Sequence, residues 1–210
     1  EVSSMTGEYE IKKQILDIGR RIYNRGMVAA NDGNISVKLN DNEFLCTPTG
    51  VSKGFMTMDM ICKVDAEGKV ISANGPYRPS SEIKMHMRVY KPLTQPIMPE
   101  AVISLGCVPI APYGTPSTME IPDAVEPYLE HFDAVLLENH GALSFGDSLM
   151  NAYFKMESLE FYAKLLMFAK QLGGPKELSD AQVQRLYEIR KKLGMTGKHP
   201  ANLCQNMNNG

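Results

Sequence analysis

Apolar residues early in the chain recur as they do along one side of a helix. Ile11, Ile15, Ile18 and Ile22 stand four, three and four apart, the repeat that stacks side chains on one face. Gly26, after "YNR", is the residue type that ends a helix in a left-handed turn. The opening "EVSS", ahead of Met5, is set aside from this pattern. The period then changes to two. "ISVKL" (35–39) alternates like a half-buried strand, "NDN" supplies turn chemistry, and "EFLCT" (43–47) resumes as the partner strand. "ICKVDAEGKVIS" (61–72) reads as a second hairpin around "DAEG". "NGPYRPSS" (74–81) is a loop by its Gly and Pro content, and 82–91 reads as a short helix running into a Pro-rich passage.

In the second half, "GCVPIAPYGTPST" (106–118) reads as a strand leaving into a loop, and "FDAVLLENHGALSFG" (132–146) as two strands around a polar interruption. Residues 147–172 carry the longest helical stripe, Ala152, Met156, Leu159, Ala163 and Leu166, which "GG" ends. A last helix starts at Ser179 with Gln182 as a capping box, presents Val183, Leu186, Ile189 and Leu193, and stops at Gly194. The tail 195–210 has little periodicity and is expected to be mobile or to dock on a neighbour. Hairpins followed by long helices predict an α/β domain over 8–194, a mostly antiparallel sheet covered by helices.

Composition narrows the function classes. The 210 residues are 43% hydrophobic, enough for one buried core, and a net charge of −2 leaves no electrostatic footprint for nucleic acid or a membrane surface. No apolar run approaches the roughly 20 residues needed to cross a bilayer. Cys46, Cys62, Cys107 and Cys204 are scattered, without a Cys-x-x-Cys, and read as inert thiols in a reducing cytoplasm.

Three polar turns could carry chemistry: "NDGNIS", "TPTGVSKG" and "RPSSE". Each puts Gly, Ser, Thr or Asn where an element begins or ends, so that N–H groups and hydroxyls can converge on an anion. The same residues also serve as ordinary turn and N-cap groups. Glu82 falls on a first helical turn, where the dipole favours its charge and where proximity alone would let it move protons. His140, at a strand end before glycine, is a candidate ligand. His86 can share a face with Glu82. His131 and His199 stand in surface-like contexts and are assigned no role. One candidate histidine falls short of the three protein ligands a catalytic zinc takes.

The ordered set "GNIS…TPTG…RPSSEIKMH…APYGT…ENHGAL" closely resembles the class II sugar-phosphate aldolases, over about residues 8–193. That family also holds ribulose-phosphate 4-epimerases and the non-enzymatic adducin head. The resemblance implies a three-layer α/β/α fold and a homotetramer with sites between subunits. It implies a divalent metal, usually zinc, on three histidines. Carried over by position, Gly33, Asn34, Thr49, Gly50, Ser80 and Ser81 match the phosphate-binding residues, Glu82 the catalytic acid/base and His140 the third metal histidine. The implied reaction is retro-aldol cleavage of a ketose 1-phosphate, L-fuculose 1-phosphate above all, to dihydroxyacetone phosphate and an aldehyde. Ser-Ser-Glu favours an aldolase over the epimerases, which typically have Ser-Ser-Asp.

The resemblance breaks at one place. Family members follow the "SSEIKMH" helix with a strand bearing a His-x-His pair that supplies two metal ligands. Here Lys91 leads at once into "PLTQPIMPEAVISLG", and some two dozen residues have no counterpart. Loss of an internal strand would expose ladder groups on its neighbours, which favours a segment missing from this sequence over one lost from the protein. If the loss is real, a pseudoenzyme or scaffold is expected. The family's site tyrosine also has no match near Ile97–Glu100, and Tyr113 is not given its role.

Overall fold

The computed structural model describes residues 2–79 and 95–201. The helix expected over 82–91, with Ser80, Ser81, Glu82 and His86, lies outside the described residues, as does the Lys91–Pro92 join. Contacts divide the chain into two compact units, 1–86 and 87–210, and each is described by itself.

The first unit opens with helix α1, Val2–Asn24. It starts within the residues set aside on sequence grounds. Its isoleucine face is the buried one: Ile15, Ile18 and Ile22 are all buried. The chain leaves the helix through Gly26 at φ 67°, a left-handed conformation that glycine adopts without a Cβ clash. Strands β1 (Ser36–Asn40), β2 (Glu43–Cys46), β3 (Cys62–Val64) and β4 (Val70–Ser72) follow as an antiparallel sheet in sequence order. A short 3₁₀ turn, Met58–Met60, precedes β3. Asp65 fixes the β3–β4 turn, its Oδ1 accepting from the N–H groups of Glu67 and Lys69 at 3.1 and 2.8 Å. Cys46 pairs directly opposite Cys62. Both thiols are free and buried, and burial pushes the Cys46 pKa up to about 12. These two are buried and Cys107 is half-buried; Cys204 lies outside the described residues.

The second unit contains α2 (Pro99–Ser104), β5 (Ile110–Ala111), α3 (Glu120–Leu129), β6 (Ala134–Leu137), β7 (Gly141–Ser144), α4 (Leu149–Gln171) and α5 (Asp180–Lys192). β5 and β6 run parallel, β6 and β7 antiparallel. The strands therefore pair mostly antiparallel, as expected. Leu105, Val108, Ala134 and Leu159 form one core cluster, and Ala101, Tyr162 and Leu166 another. The α5 capping box is present in full.

The start of the tail contradicts two expectations. Residues 195–201 dock on their own unit, and His199 is wholly buried, not surface-like. Its Nε2 lies 2.8 Å from the Val102 carbonyl, and its Nδ1 accepts from the Ala201 N–H at 3.0 Å. Arg190, also buried, donates to the carbonyls of Ile103 and Thr196 at 2.7 and 2.9 Å. Asp133 Oδ2 accepts from the Lys198 N–H at 2.9 Å and from Lys155 Nζ at 2.6 Å. Carbonyl and carboxylate acceptors beneath the tail thus supply the order that hydrophobic periodicity could not signal.

Candidate phosphate-binding and active site

The two polar turns of the first unit that fall among the described residues meet at one backbone junction. The Ile35 N–H donates to Thr47 Oγ1 at 3.2 Å, and the Thr47 N–H donates to the Ile35 carbonyl at 3.0 Å. Asn34 comes just before this junction on one strand, and Thr49 and Gly50 two and three residues after it on the other. A third turn arrives alongside. The Thr49 N–H donates to the Arg78 carbonyl at 2.9 Å, and Pro48 bridges Pro79 in an isolated antiparallel pair. Pro79 immediately precedes Ser80 and Ser81 in sequence.

Local sequence explains these shapes. Gly33 has φ 82° and Gly50 φ 72°, where an L side chain is strained. A Cβ on Gly33 would come within 2.6 Å of Val28 Cγ1, so glycine is required twice over. Ala30, at φ 45°, adds strain to the same turn, which closes through an Asp32 N–H to Ala29 carbonyl bond of 2.8 Å. Thr49 and Gly50 are exposed, while Gly33 and Asn34 are half-buried. The result is a polar, glycine-shaped surface at converging turns, the arrangement that favours an anion.

Lys53 is the residue that motif matching missed. It sits inside "TPTGVSKG" and is the largest fully buried side chain among the described residues, 1% exposed. Its Nζ donates to the Val51 carbonyl at 2.7 Å and to the Asn31 carbonyl at 3.1 Å. Burial lowers its pKa, and the charge of Asp32 opposes that shift. The signal available in the sequence was a lysine flanked by small residues in a polar turn, a pattern too common to single out.

In the second unit, His140 closes the β6–β7 hairpin. The three-residue turn Glu138–Asn139–His140 has Asn139 at φ 61°, and the His140 N–H donates to the Leu137 carbonyl at 2.9 Å. Asn is the non-glycine residue that best tolerates this conformation, so "ENHG" holds His140 at an exposed hairpin tip. Glu138 Oε2 accepts from the Tyr113 N–H at 2.6 Å, tying the "APYGT" loop to that tip. The Tyr113 ring is exposed.

The described residues do not fit the three-histidine zinc that the resemblance implies. No group of three or more His, Cys, Asp or Glu able to hold an ion occurs among them. His131 stands 3.8 Å from Glu130, and both ring nitrogens of His199 are engaged by backbone. His140 would contribute one ligand.

The family model for the class II aldolase and adducin N-terminal domain matches residues 13–95 and 91–167. The chain belongs to this family. A 3-oxo-tetronate 4-phosphate decarboxylase of Haemophilus influenzae is 30% identical, with 83% of this chain and 95% of the relative aligned. An L-fuculose phosphate aldolase of Methanococcus vannielii is 32% identical, covering 73% of this chain and 93% of the relative. Among solved structures, YgbL of Escherichia coli superposes with a TM-score of 0.76 at 25% identity, covering 85% of this chain and 98% of that one. The α/β class II aldolase fold is therefore established, and the named relatives are enzymes that break carbon–carbon bonds. The two pieces of the family match meet at 91–95, where the sequence departs from the family pattern. The H. influenzae alignment runs over 203 positions, whereas 83% of 210 residues is about 174, so the relative carries positions without a counterpart here.

Proposed function

We propose that the protein is a carbon–carbon lyase acting on a phosphoryloxymethyl ketone, with L-fuculose 1-phosphate as substrate and dihydroxyacetone phosphate and L-lactaldehyde as products. The observation that carries this reading is the junction of the Gly33–Asn34 and Thr49–Gly50 turns beside the segment leading to Ser80 and Ser81. These residues would hold the phosphate. In the aldol cleavage the C4 hydroxyl loses its proton, the C3–C4 bond breaks and the aldehyde leaves. The bonding pair moves into the C2 carbonyl to give an enediolate. Protonation at C3 then yields dihydroxyacetone phosphate. Glu82 is assigned that proton transfer, a role within reach of a positioned carboxylate.

The 30% identical decarboxylase supports a second substrate for the same site. In 3-oxo-tetronate 4-phosphate the phosphate again sits on the carbon beside the carbonyl. Breaking the C1–C2 bond releases carbon dioxide and leaves the same enediolate, which protonation at C2 converts to dihydroxyacetone phosphate. The two reactions therefore share the phosphate grip and the proton delivery and differ in the leaving fragment. A 4-epimerase would need that fragment retained.

The homotetramer is proposed with it. Helix α4 is apolar on more than its core side: Tyr153, Leu159, Tyr162 and Leu166 are buried, while Phe154, Phe161, Met167 and Phe168 are exposed. Phe154, Phe161 and Phe168 stand seven apart and share one face, and an exposed apolar patch of this kind marks an interaction surface. The free thiols and balanced charge agree with a cytoplasmic setting.

The test is to offer both substrates and follow dihydroxyacetone phosphate together with the co-product. Aldehyde release supports the aldolase, and carbon dioxide release moves the assignment to the decarboxylase. Formation of xylulose 5-phosphate from ribulose 5-phosphate without cleavage would make it the epimerase. If no substrate turns over and inorganic phosphate does not bind, the lyase reading is wrong and an adducin-like assembly role takes its place.

A further inference from the structure

We propose that Lys53 is the positioning residue of the phosphate site: its buried ammonium clamps the 29–34 turn to the 49–54 turn and sets a fixed positive charge behind them. The inference rests on the phosphate reading of those turns and adds to it the group that holds them together.

A fully buried lysine is rare unless its charge is matched, because removing an ammonium from water costs several kcal/mol. Here the two hydrogen-bond acceptors are neutral carbonyls, one from each turn, Asn31 at 3.1 Å and Val51 at 2.7 Å. Among the described residues no carboxylate forms an ion pair with it, although Asp32 influences its ionisation. Joining two turns by hydrogen bonds alone would be cheaper with a neutral donor. A cation gains its advantage when an anion arrives at the same turns.

The backbone beneath Lys53 is built to aim it. A Cβ on Gly19 of α1 would lie 2.5 Å from the Lys53 carbonyl oxygen, and one on Gly54 would lie 2.6 Å from the Tyr23 ring. Both glycines therefore permit the 53–54 backbone to seat directly on α1. Tyr23 then stacks edge-on with Phe55 at 5.4 Å, which fixes the loop from its other side. With its backbone docked, the Lys53 stem runs under Gly33, its Cγ 3.9 Å from where a Gly33 Cβ would stand.

The test compares the full chain with Lys53→Met, which keeps the stem and removes charge and donors, and Lys53→Gln, which keeps a donor and removes the charge. Inorganic phosphate is titrated calorimetrically, and thermal unfolding is recorded for each. The expected result is that Lys53→Met binds phosphate at least about tenfold more weakly, a change of roughly 1.4 kcal/mol, with Lys53→Gln also weakened. Should Lys53→Met fail to fold, Lys53→Gln is read against the wild type by the same criterion. Phosphate affinity within about twofold of wild type in the folded variants, whatever happens to Tm, overturns the proposal and leaves Lys53 a packing residue. A wild-type chain that binds no phosphate overturns instead the phosphate reading on which the proposal rests.

Discussion

At the scale of single residues, His199 shows how burial turns a common titratable group into a pH-dependent strut. Both ring nitrogens face backbone partners, so the ring must be neutral with its proton on Nε2 to donate to Val102 and accept from Ala201. Protonating Nδ1 would set two donors against each other, and burial lowers the pKa from 6.5 to about 4. Because the unfolded chain takes up this proton first, the stabilisation is complete above pH 6.5. It falls by up to about 1.4 kcal/mol per pH unit as the pH drops towards 4, and is gone below that. Urea unfolding at pH 7.0 and 4.5 should show a larger acid loss in wild type than in His199→Gln. Equal losses would mean that the ring is already charged or that the tail is detached. Gly33 supplies a contrasting case, since its φ of 82° and the Val28 contact both forbid a side chain. Gly33→Ala should cost about 1–3 kcal/mol of stability and weaken phosphate binding. An unchanged urea midpoint and phosphate affinity would show that the turn adapts.

Among the elements, those whose signal is local were readable from sequence and those set by contact were not. The isoleucine face of α1, the hairpin turns at Asp41–Asn42 and Asp65–Gly68, and the Ser179–Gln182 box all carry their instructions within a few residues. Helix α3 shows no clear period in the sequence because Pro122 and Pro127 interrupt its pattern. Pro122 falls in the first turn, where its missing N–H costs nothing, and Ile121 and Val125 still reach the core. Helix α2, six residues long, is too short to show a period. In the candidate site, the glycine and hydroxyl positions were legible as a motif, but the Lys53 clamp depends on a bond across 22 residues. The second apolar side of α4, with Phe154, Phe161 and Phe168 exposed, offers a face for another copy. If it seats another copy, Phe161→Glu should dissociate the assembly, read by light scattering, while circular dichroism stays native. A wild-type monomer, or a Phe161→Glu protein with unchanged mass, would dismiss α4 as the interface.

For the whole molecule, the family match and the metal chemistry pull against each other. The match is continuous on either side of 91–95 and broken there, and that is where the resemblance places two of the three histidine ligands. Four histidines exist in the chain. The His131 ring lies 3.8 Å from the Glu130 carboxylate at the surface, both ring nitrogens of His199 are engaged by backbone, and His86 lies outside the described residues. Among the described residues no three His, Cys, Asp or Glu side chains come together, which falls short of the three protein ligands plus open position that a catalytic zinc requires. The 210-residue chain should therefore retain much less than one zinc per chain after dialysis, measured by elemental analysis, and should still bind phosphate. Inserting a relative's segment between Lys91 and Pro92 should raise zinc to one per chain and increase turnover, because the resemblance places two histidine ligands there. His140→Ala in that repaired chain should then lower zinc retention again by tenfold or more, on the order of the cost of losing a group that holds a metal. One tightly held zinc in the unrepaired chain would overturn this account, and would direct attention to carboxylates near His140 in place of the absent pair.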